Sequence, residues 1–481
     1  MAVQVESIYA RAVKGSVVNG ITSLIELVIG FSASIILART LNPADFGAFT
    51  FAFVLVAVFG AFSSFQTHSY VIQSKERVKR TMSVGFTLEL IAAVIMVILL
   101  EFMSPHILGA LGREDQVPLT RLFALFILLN PFRVARAVFI KELRFVHVSA
   151  ALLLGLVVGT GLKIGLAYFG WGPWSLMVGT LAVVAVECAV VWSVTPIRPS
   201  LSLDREILPD VIRFGLPLVV LTLLLQLWIR MGDFLVGSVL DDYWLGMYYL
   251  AYRIPYFLTV LGQSAIQTAF PALSKAETKE QLTRGFRLTT KMTFILFCVP
   301  VVVCVVWATD LIAFLYGHRW LPAAAPFRIF VIVPLAHFTI IHFGDLLKTQ
   351  GRTKEAMYVQ LGQVILLAVL GYFCLKAFGL IGIAVALLLA ELAPLPLISR
   401  LVNRFVSISY VSVLWRTALV ALVSIGIGLL LRELAGGRVL AMGFGIPIQC
   451  AVYLAGIVLL EKEDLGRVLN ELRELLKSRL G

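Results

Sequence analysis

The sequence predicts an all-α integral membrane protein of about fourteen transmembrane helices. Three observations predict it. The first is composition: of 481 residues, 60% are hydrophobic and only 14% charged, with a mean hydropathy of +0.95. Soluble chains are about 45–50% apolar and about 25% charged. The excess is too large for a water-soluble core, because cores stop growing beyond ~250–300 residues. The second is that the apolar residues come in runs of ~20 or more, the length that crosses a ~30 Å hydrocarbon layer. Helices satisfy their own backbone groups, which suits them to lipid, and the period-2 pattern of a membrane β-barrel is missing. The third is that Lys and Arg gather on alternate connections.

In chain order the expected spans lie near 13–38, 45–67, 82–103, 116–140, 148–169, 172–194, 211–238, 244–270, 288–312, 322–347, 356–375, 379–401, 411–431 and 439–460. Arg11 and Lys14 precede the first run, the order of a signal peptide. That run is too long for a signal h-region and lacks a convincing cleavage site, so it reads as a retained span. With the N-terminus placed in the cytoplasm, roughly 29 Lys and Arg fall on inner connections and roughly 6 on outer ones, so the positive-inside rule puts both termini inside. Arg133 and Arg136 are counted among the inner set. The same asymmetry accounts for the net charge of +12. The basic residues are spread over every inner connection rather than gathered in one patch, which argues against a nucleic-acid partner and adds attraction to anionic membrane lipid.

Catalytic chemistry has little to stand on. Cys188, Cys298, Cys304, Cys374 and Cys450 all sit in apolar runs. None forms a Cys-x-x-Cys pair, so they read as small buried hydrophobes, not as metal or redox groups. Gly155-x-x-x-Gly159 and Gly161-x-x-x-Gly165 in the fifth span resemble no phosphate loop. Their spacing lets two helices approach closely. No P-loop, His-Glu-x-x-His, nucleophile elbow or paired-carboxylate motif is present. The expectation is a transporter, not an enzyme, with no cofactor and no resident metal.

Two stretches repeat. Residues 41–52 read LNPADFGAFTFA and residues 240–251 read LDDYWLGMYYLA. Aligned, they put Leu41 on Leu240, Gly47 on Gly246, Phe49 on Tyr248 and Ala52 on Ala251. Each joins the first span of a half to the second, and an even number of spans separates them. They therefore describe a parallel repeat about an axis along the membrane normal, a recurring transporter design.

Leu37-Ala38-Arg39-Thr40-Leu41-Asn42-Pro43-Ala44-Asp45-Phe46-Gly47 resembles the A-R-x-L-x-P-x-x-F-G turn of bacterial polysaccharide-biosynthesis transporters. Asp233 through Gly246 to Ala251-Tyr252-Arg253 is similar to their second-half counterpart, and Phe270-Pro271-Ala272-Leu273-Ser274 to the exit of their eighth span. The family is the Wzx-type oligosaccharide flippases of the MOP superfamily, which also holds MATE exporters and lipid II flippases. The resemblance implies a MATE/MOP-like fold: six-helix bundles at 1–203 and 204–405 around a central cavity, then two extra spans at 406–460. It implies a cargo of undecaprenyl-diphosphate-linked oligosaccharide, flipped from the cytoplasmic to the periplasmic leaflet. It also implies membrane lipids and other polysaccharide-assembly proteins as partners, and the bacterial inner membrane as location. The alternatives are a MATE-like ion-coupled exporter of small cationic molecules, or a lipid II flippase.

A charge at mid-bilayer costs ~2.5–3.5 kcal/mol on insertion scales, so each one inside a span needs a reason. Arg253, Arg230, Lys163 and Arg121 are the candidates for a cargo-binding cavity. Arg253 is deepest, ~14 Å into its span at 1.5 Å per residue. It lies two residues before Pro255, and its planar fork of donors suits a diphosphate. Arg121, Lys163 and Arg328 lie nearer the outer side, where snorkelling is the alternative. Arg230 and Asp233, three apart on one helix face, either neutralise each other or leave Asp233 to a coupling cation. Asp233, Glu26 and Glu391 are the candidates for coupling to H+ or Na+; interhelical hydrogen bonding is the alternative for Glu26 and Glu391. Glu89 and Glu187 are the remaining in-span acids. Residues 461–481 read as a cytoplasmic amphipathic helix.

Overall fold

The computed structural model describes residues 2–74, 78–274, 278–349, 352–403, 406, 409–434, 438–462 and 466. Every regular element among them is helical. Twelve stretches of the described residues are long and apolar enough to cross a membrane. One of these, Met357–Val402, is 46 residues long and turns back at Gly379, whose φ of +58° only glycine adopts without strain. It therefore holds two of the expected spans. The helix Asp242–Ser274, 33 residues long, lies outside the twelve and coincides with the expected span at 244–270. The all-helical, multi-pass fold class follows.

The chain forms two compact units, Met1–Tyr249 and Leu250–Gly481. The first holds α1 (Ala2–Thr40), α2 (Pro43–Phe62), α3 (Thr67–Gln73), α4 (Val78–Ala110), α5 (Val117–Phe123), α6 (Leu125–Leu129), α7 (Arg136–Lys141), α8 (Phe145–Tyr168), α9 (Pro173–Val194) and α10 (Leu208–Val239). Helix α11 (Asp242–Ser274) starts in the first unit and ends in the second. The second unit adds α12 (Lys279–Leu315), α13 (Ala324–Phe330), α14 (Val333–Thr349), α15 (Thr353–Leu392), α16 (Leu395–Val402), α17 (Tyr410–Leu434) and α18 (Arg438–Leu460).

In the first unit the two repeated turns meet. Asn42 and Asp45 form a capping box in front of α2, with Pro43 at its first position; the Asn42 amide donates to Asp45 Oδ2 at 2.9 Å. A Cβ on Gly47 would collide with the backbone of Asp242, and one on Gly246 with the carbonyl of Pro43. Each glycine of the repeat is thus the seat for the other copy's turn. Arg113, buried, seals this end. It pairs with Asp242, donates to the Leu240 carbonyl at 2.9 Å and stands 4.6 Å over the Phe51 ring. Gln116 donates to the second Asp242 oxygen at 2.6 Å.

The fourth span is not a continuous helix. Pro118 stands in the first turn of α5, the helix is interrupted at Ala124, and from Asn130-Pro131 the chain winds as a 3-10 turn to Ala135. Proline removes a donor and clashes with the preceding turn. The carbonyls this disturbs find partners on α9: Trp192 Nε1 donates to Phe132 at 2.7 Å and Cys188 Sγ to Leu129 at 3.7 Å. A broken span is tolerated at membrane depth where protein or a cavity surrounds it. Of the small-residue motifs, Gly155 and Gly159 do bring α8 against α9, touching the carbonyls of Val183 and Gly179. Gly161 and Gly165 face open space instead, so the second pair has no packing role in this unit.

In the second unit α18 is pegged to α12 by polar side chains, the interhelical bonds that lipid-embedded packing favours. Gln449 donates to the Val302 carbonyl (3.0 Å) and accepts from Trp307 Nε1 (2.9 Å); Tyr453 donates to Ile295 (3.0 Å). Lys291 and Glu461 form an ion pair, both buried. The amphipathic helix expected at 461–481 lies almost entirely outside the described residues.

Candidate functional site

The first unit encloses a cavity of about 450 Å³ whose wall comes from α2, the 62–68 connection, α4, the broken fourth span and α10. On α2 it is Phe53, Val56, Ala57 and Gly60, one helical face. The connection after α2 is unwound. Gln66 takes a left-handed φ of 52°, and its amide donates to Ser64 Oγ at 3.1 Å and to Thr222 Oγ1 at 3.3 Å. Glu89, buried on α4, receives the Thr67 amide at 3.0 Å. A non-glycine residue held at positive φ by its own side chain beside a cavity marks a place where the fold spends stability.

Three arginines reach this cavity: Arg133, Arg136 and Arg230. Arg133 and Arg136 are three apart across the 3-10 turn and the start of α7, so they share a face. Both contact Glu187 of α9, which is fully buried. Arg133 donates to Glu187 Oε2 at 2.9 Å, and Arg136 pairs with Oε1. One carboxylate thus serves two guanidiniums. Each guanidinium has five N–H donors and keeps a quarter to a third of its side chain open: 34% for Arg133 and 22% for Arg136. Arg230 donates to buried Asp233 at 3.1 Å and stands 4.6 Å over the Phe53 ring. His68 completes the basic side of the wall. Burial first, then the Arg136 and Arg133 charges, holds its imidazole below the ordinary histidine value, in the neutral form.

The sequence candidates distribute as follows. Arg230 lines the cavity and is paired with Asp233, its neighbour three residues on. Arg121 is an exposed residue pairing with Glu101 at 3.0 Å. Lys163 lies along α8 with its stem against Gly179 of α9. Arg253 belongs to the second unit, its guanidinium 4.8 Å over the Phe257 ring. Glu26 is half-buried on α1. Arg133 and Arg136 escaped the sequence reading because they were counted as an inner connection; the break at Asn130-Pro131 instead turns them into the span's interior. The signal that would have found them is Glu187, a buried in-span acid that needs a cation, with two arginines one turn apart after an Asn-Pro break.

In the second unit a different polar cluster is buried. Glu391 Oε1 accepts from His337 Nδ1 at 2.7 Å, and its Oε2 accepts from Gln363 Nε2 at 3.1 Å. His337 Nε2 faces Gln263 Nε2 of α11 at 3.1 Å. Among the described residues no group of three or more His, Cys, Asp or Glu side chains is arranged to hold a metal.

Comparison with known proteins gives a consistent picture. Residues 36–325 match the model of a family described as polysaccharide biosynthesis protein. The teichuronic acid biosynthesis protein TuaB of Bacillus subtilis (strain 168) is 25% identical over 321 residues, 65% of this chain and 66% of that protein. The lipopolysaccharide biosynthesis protein WzxC of Escherichia coli (strain K12) is 20% identical over 392 residues, 80% of each chain. Among solved structures, the lipid II flippase MurJ in an inward closed conformation superposes with a TM-score of 0.77 at 15% identity, over 94% of this chain and 99% of that one. An inward-facing multidrug-resistance MATE transporter superposes with a TM-score of 0.62 at 17% identity, over 81% and 98%. These two show that the chain shares the fold of those transporters.

Proposed function

The chain belongs to the polysaccharide biosynthesis protein family, and from that premise we propose that it flips undecaprenyl-diphosphate-linked oligosaccharide repeat units across the bacterial inner membrane, from the cytoplasmic to the periplasmic leaflet, for surface polysaccharide assembly. The observation that carries the reading is the cavity in the first unit, where Arg133 and Arg136 share one buried carboxylate and Arg230 stands across from them. A diphosphate arriving there meets guanidinium forks with donors to spare. Such bidentate, charge-assisted bonds are the strong ones, and they suit phosphate geometry. Ser64, Gln66, Asn130, Thr222 and Gln226 on the same wall offer neutral hydrogen bonds, the partners a sugar hydroxyl needs.

The arginines also argue against the exporter alternative, since a small cation would enter a wall of like charge. The positive-inside distribution supports an orientation with both termini in the cytoplasm. The cavity wall includes the 62–68 connection, which that orientation places on the cytoplasmic side, where the cargo is made.

The test is a deletion strain examined for lipid-linked repeat units. The expected result is their accumulation with loss of surface polysaccharide, restored by the wild-type chain and not by one carrying Arg133→Ala and Arg136→Ala. Unchanged polysaccharide together with new sensitivity to cationic drugs would overturn the reading in favour of an exporter.

A further inference from the structure

We infer that the connection between α9 and α10, residues 195–207, is a lipid-binding strap: it beds two leucines in the cytoplasmic leaflet and gathers anionic phospholipid headgroups with its arginines. This property is independent of the cargo.

The connection carries no helix, yet the fold pins it along its length. Ile197 packs against the cluster of Val71, Met82 and Phe86, and at the far end Ile207 is buried with Val84 and Val211. Between these two anchors the chain is tied to one face of α4. Ser200 donates its amide to Ser83 Oγ at 3.0 Å, and Ser202 donates its amide to Thr87 Oγ1 at 2.9 Å. Ser83 and Thr87 are one turn apart on α4, so both hydroxyls point the same way. Leu201 and Leu203 alternate with the two serines and are 70% and 51% exposed. A strap facing water would turn leucine in and leave its amides to the solvent. Here the polar backbone is satisfied by α4 and the leucines are turned out, which is the arrangement a lipid surround demands.

Depth and charge name the occupant. In the orientation that the positive-inside distribution supports, this end of α4 is cytoplasmic. The expected span begins near residue 82, so Thr87 stands about 7 Å inside it at 1.5 Å per residue. An interfacial apolar face lies about 5–10 Å into the boundary between headgroups and acyl chains, and the leucines fall in that layer. Arg198 and Arg205 flank them and are exposed, as are Lys79 at the foot of α4 and Arg213 in the second turn of α10. The acids of the strap, Asp204 and Glu206, are engaged by Arg80, and Asp210 on α10 is exposed. Basic side chains beside the cytoplasmic surface attract anionic lipid, and the leucines between them supply the insertion that holds the strap there. A zwitterionic headgroup gives the arginines no such gain. The strap also braces a helix of the cavity wall, since α4 carries Glu89, which receives the Thr67 amide.

The experiment measures hydrogen–deuterium exchange of the full chain in nanodiscs of phosphatidylcholine alone and of phosphatidylcholine mixed with phosphatidylglycerol. The peptide covering 196–207 is expected to exchange roughly tenfold more slowly in the anionic discs, the scale of two arginines near an anionic surface. Peptides of α8 and α9 are expected to be unchanged. Arg198→Gln with Arg205→Gln is expected to remove the difference between the two lipids. Leu201→Asn with Leu203→Asn is expected to speed exchange of the same peptide roughly tenfold in both lipids, through the loss of two apolar insertions. If the leucine variant does not fold, the arginine variant decides the matter, because its side chains are exposed and surface changes of this kind are tolerated. Equal exchange in the two lipids, a difference that survives the arginine variant, or a slowing spread over the whole chain overturns the strap. A folded leucine variant that exchanges like wild type overturns it too. Slowing seen only in native membranes, and in neither disc, overturns the lipid reading in favour of a protein partner.

Discussion

In the first unit a buried glutamate on α9, Glu187, meets two arginines of the broken fourth span. In the second, a buried glutamate at the end of α15, Glu391, meets a histidine of the broken tenth span. Glu187 lies on α9 and Glu391 near the end of α15; Arg133 lies within the break at Asn130–Ala135 with Arg136 just after it, and His337 follows the break between α13 and α14. In both units a buried carboxylate meets a basic side chain beside a helix break, and the base differs. A guanidinium keeps its charge at every accessible pH, so the arginine side of the first cluster stays cationic. An imidazole changes charge in the physiological range, so the second can exist in two states.

The largest effect is expected where the comparison is broken outright. Glu187→Ala leaves two partly buried guanidiniums without their counter-charge, and removal of one partner of a fully buried pair, the upper bound here, costs about 3–5 kcal/mol. It should appear as a steep fall in Tm in detergent, with loss of folded protein at 37 °C. Next, Arg136→Lys keeps the charge and discards the planar fork. Hydrogen bonds between charged groups are worth ~1.5–3 kcal/mol, so flipping at limiting substrate should drop roughly ten- to a hundredfold. Full activity in Arg136→Lys would show that charge alone, not geometry, holds the cargo.

Gly47→Ala and Gly246→Ala test whether the repeated turns at the sealed end matter independently of either cluster. Overpacking against backbone costs about 1–3 kcal/mol, and both variants should lose stability, read as a lower Tm in detergent. His337→Arg sharpens the comparison by making the second cluster resemble the first. It should keep the carboxylate paired, with a Tm in detergent close to that of wild type. The smallest effect belongs to His68. Its imidazole is held below the ordinary value of 6.5, so the unfolded chain binds its proton first. The stability this contributes is complete above pH 6.5 and is lost as the pH falls from there. His68→Gln should remove that component of acid sensitivity, seen as a Tm in detergent that falls less between pH 7 and pH 5, and change flipping little at neutral pH.

The membrane class and nearly every span were legible in the residues, because crossing lipid imposes a local requirement: some twenty apolar side chains in succession, each helix satisfying its own backbone. The repeated glycine turns were legible too, since only glycine tolerates the close backbone approach that Gly47 and Gly246 make. The candidate site was legible only in outline. Arg230 and Asp233 could be paired by eye because they lie one turn apart on the same helix. Glu187 with Arg133 and Arg136, and Glu391 with His337, could not, since the partners are more than 50 residues apart in sequence. The cost of a charge in hydrocarbon says that a partner must exist, and chain proximity does not say which. Local hydropathy therefore determined the helices, while tertiary packing alone decided which buried charges face one another, because a Coulombic partner is chosen by distance in space and not by distance along the chain.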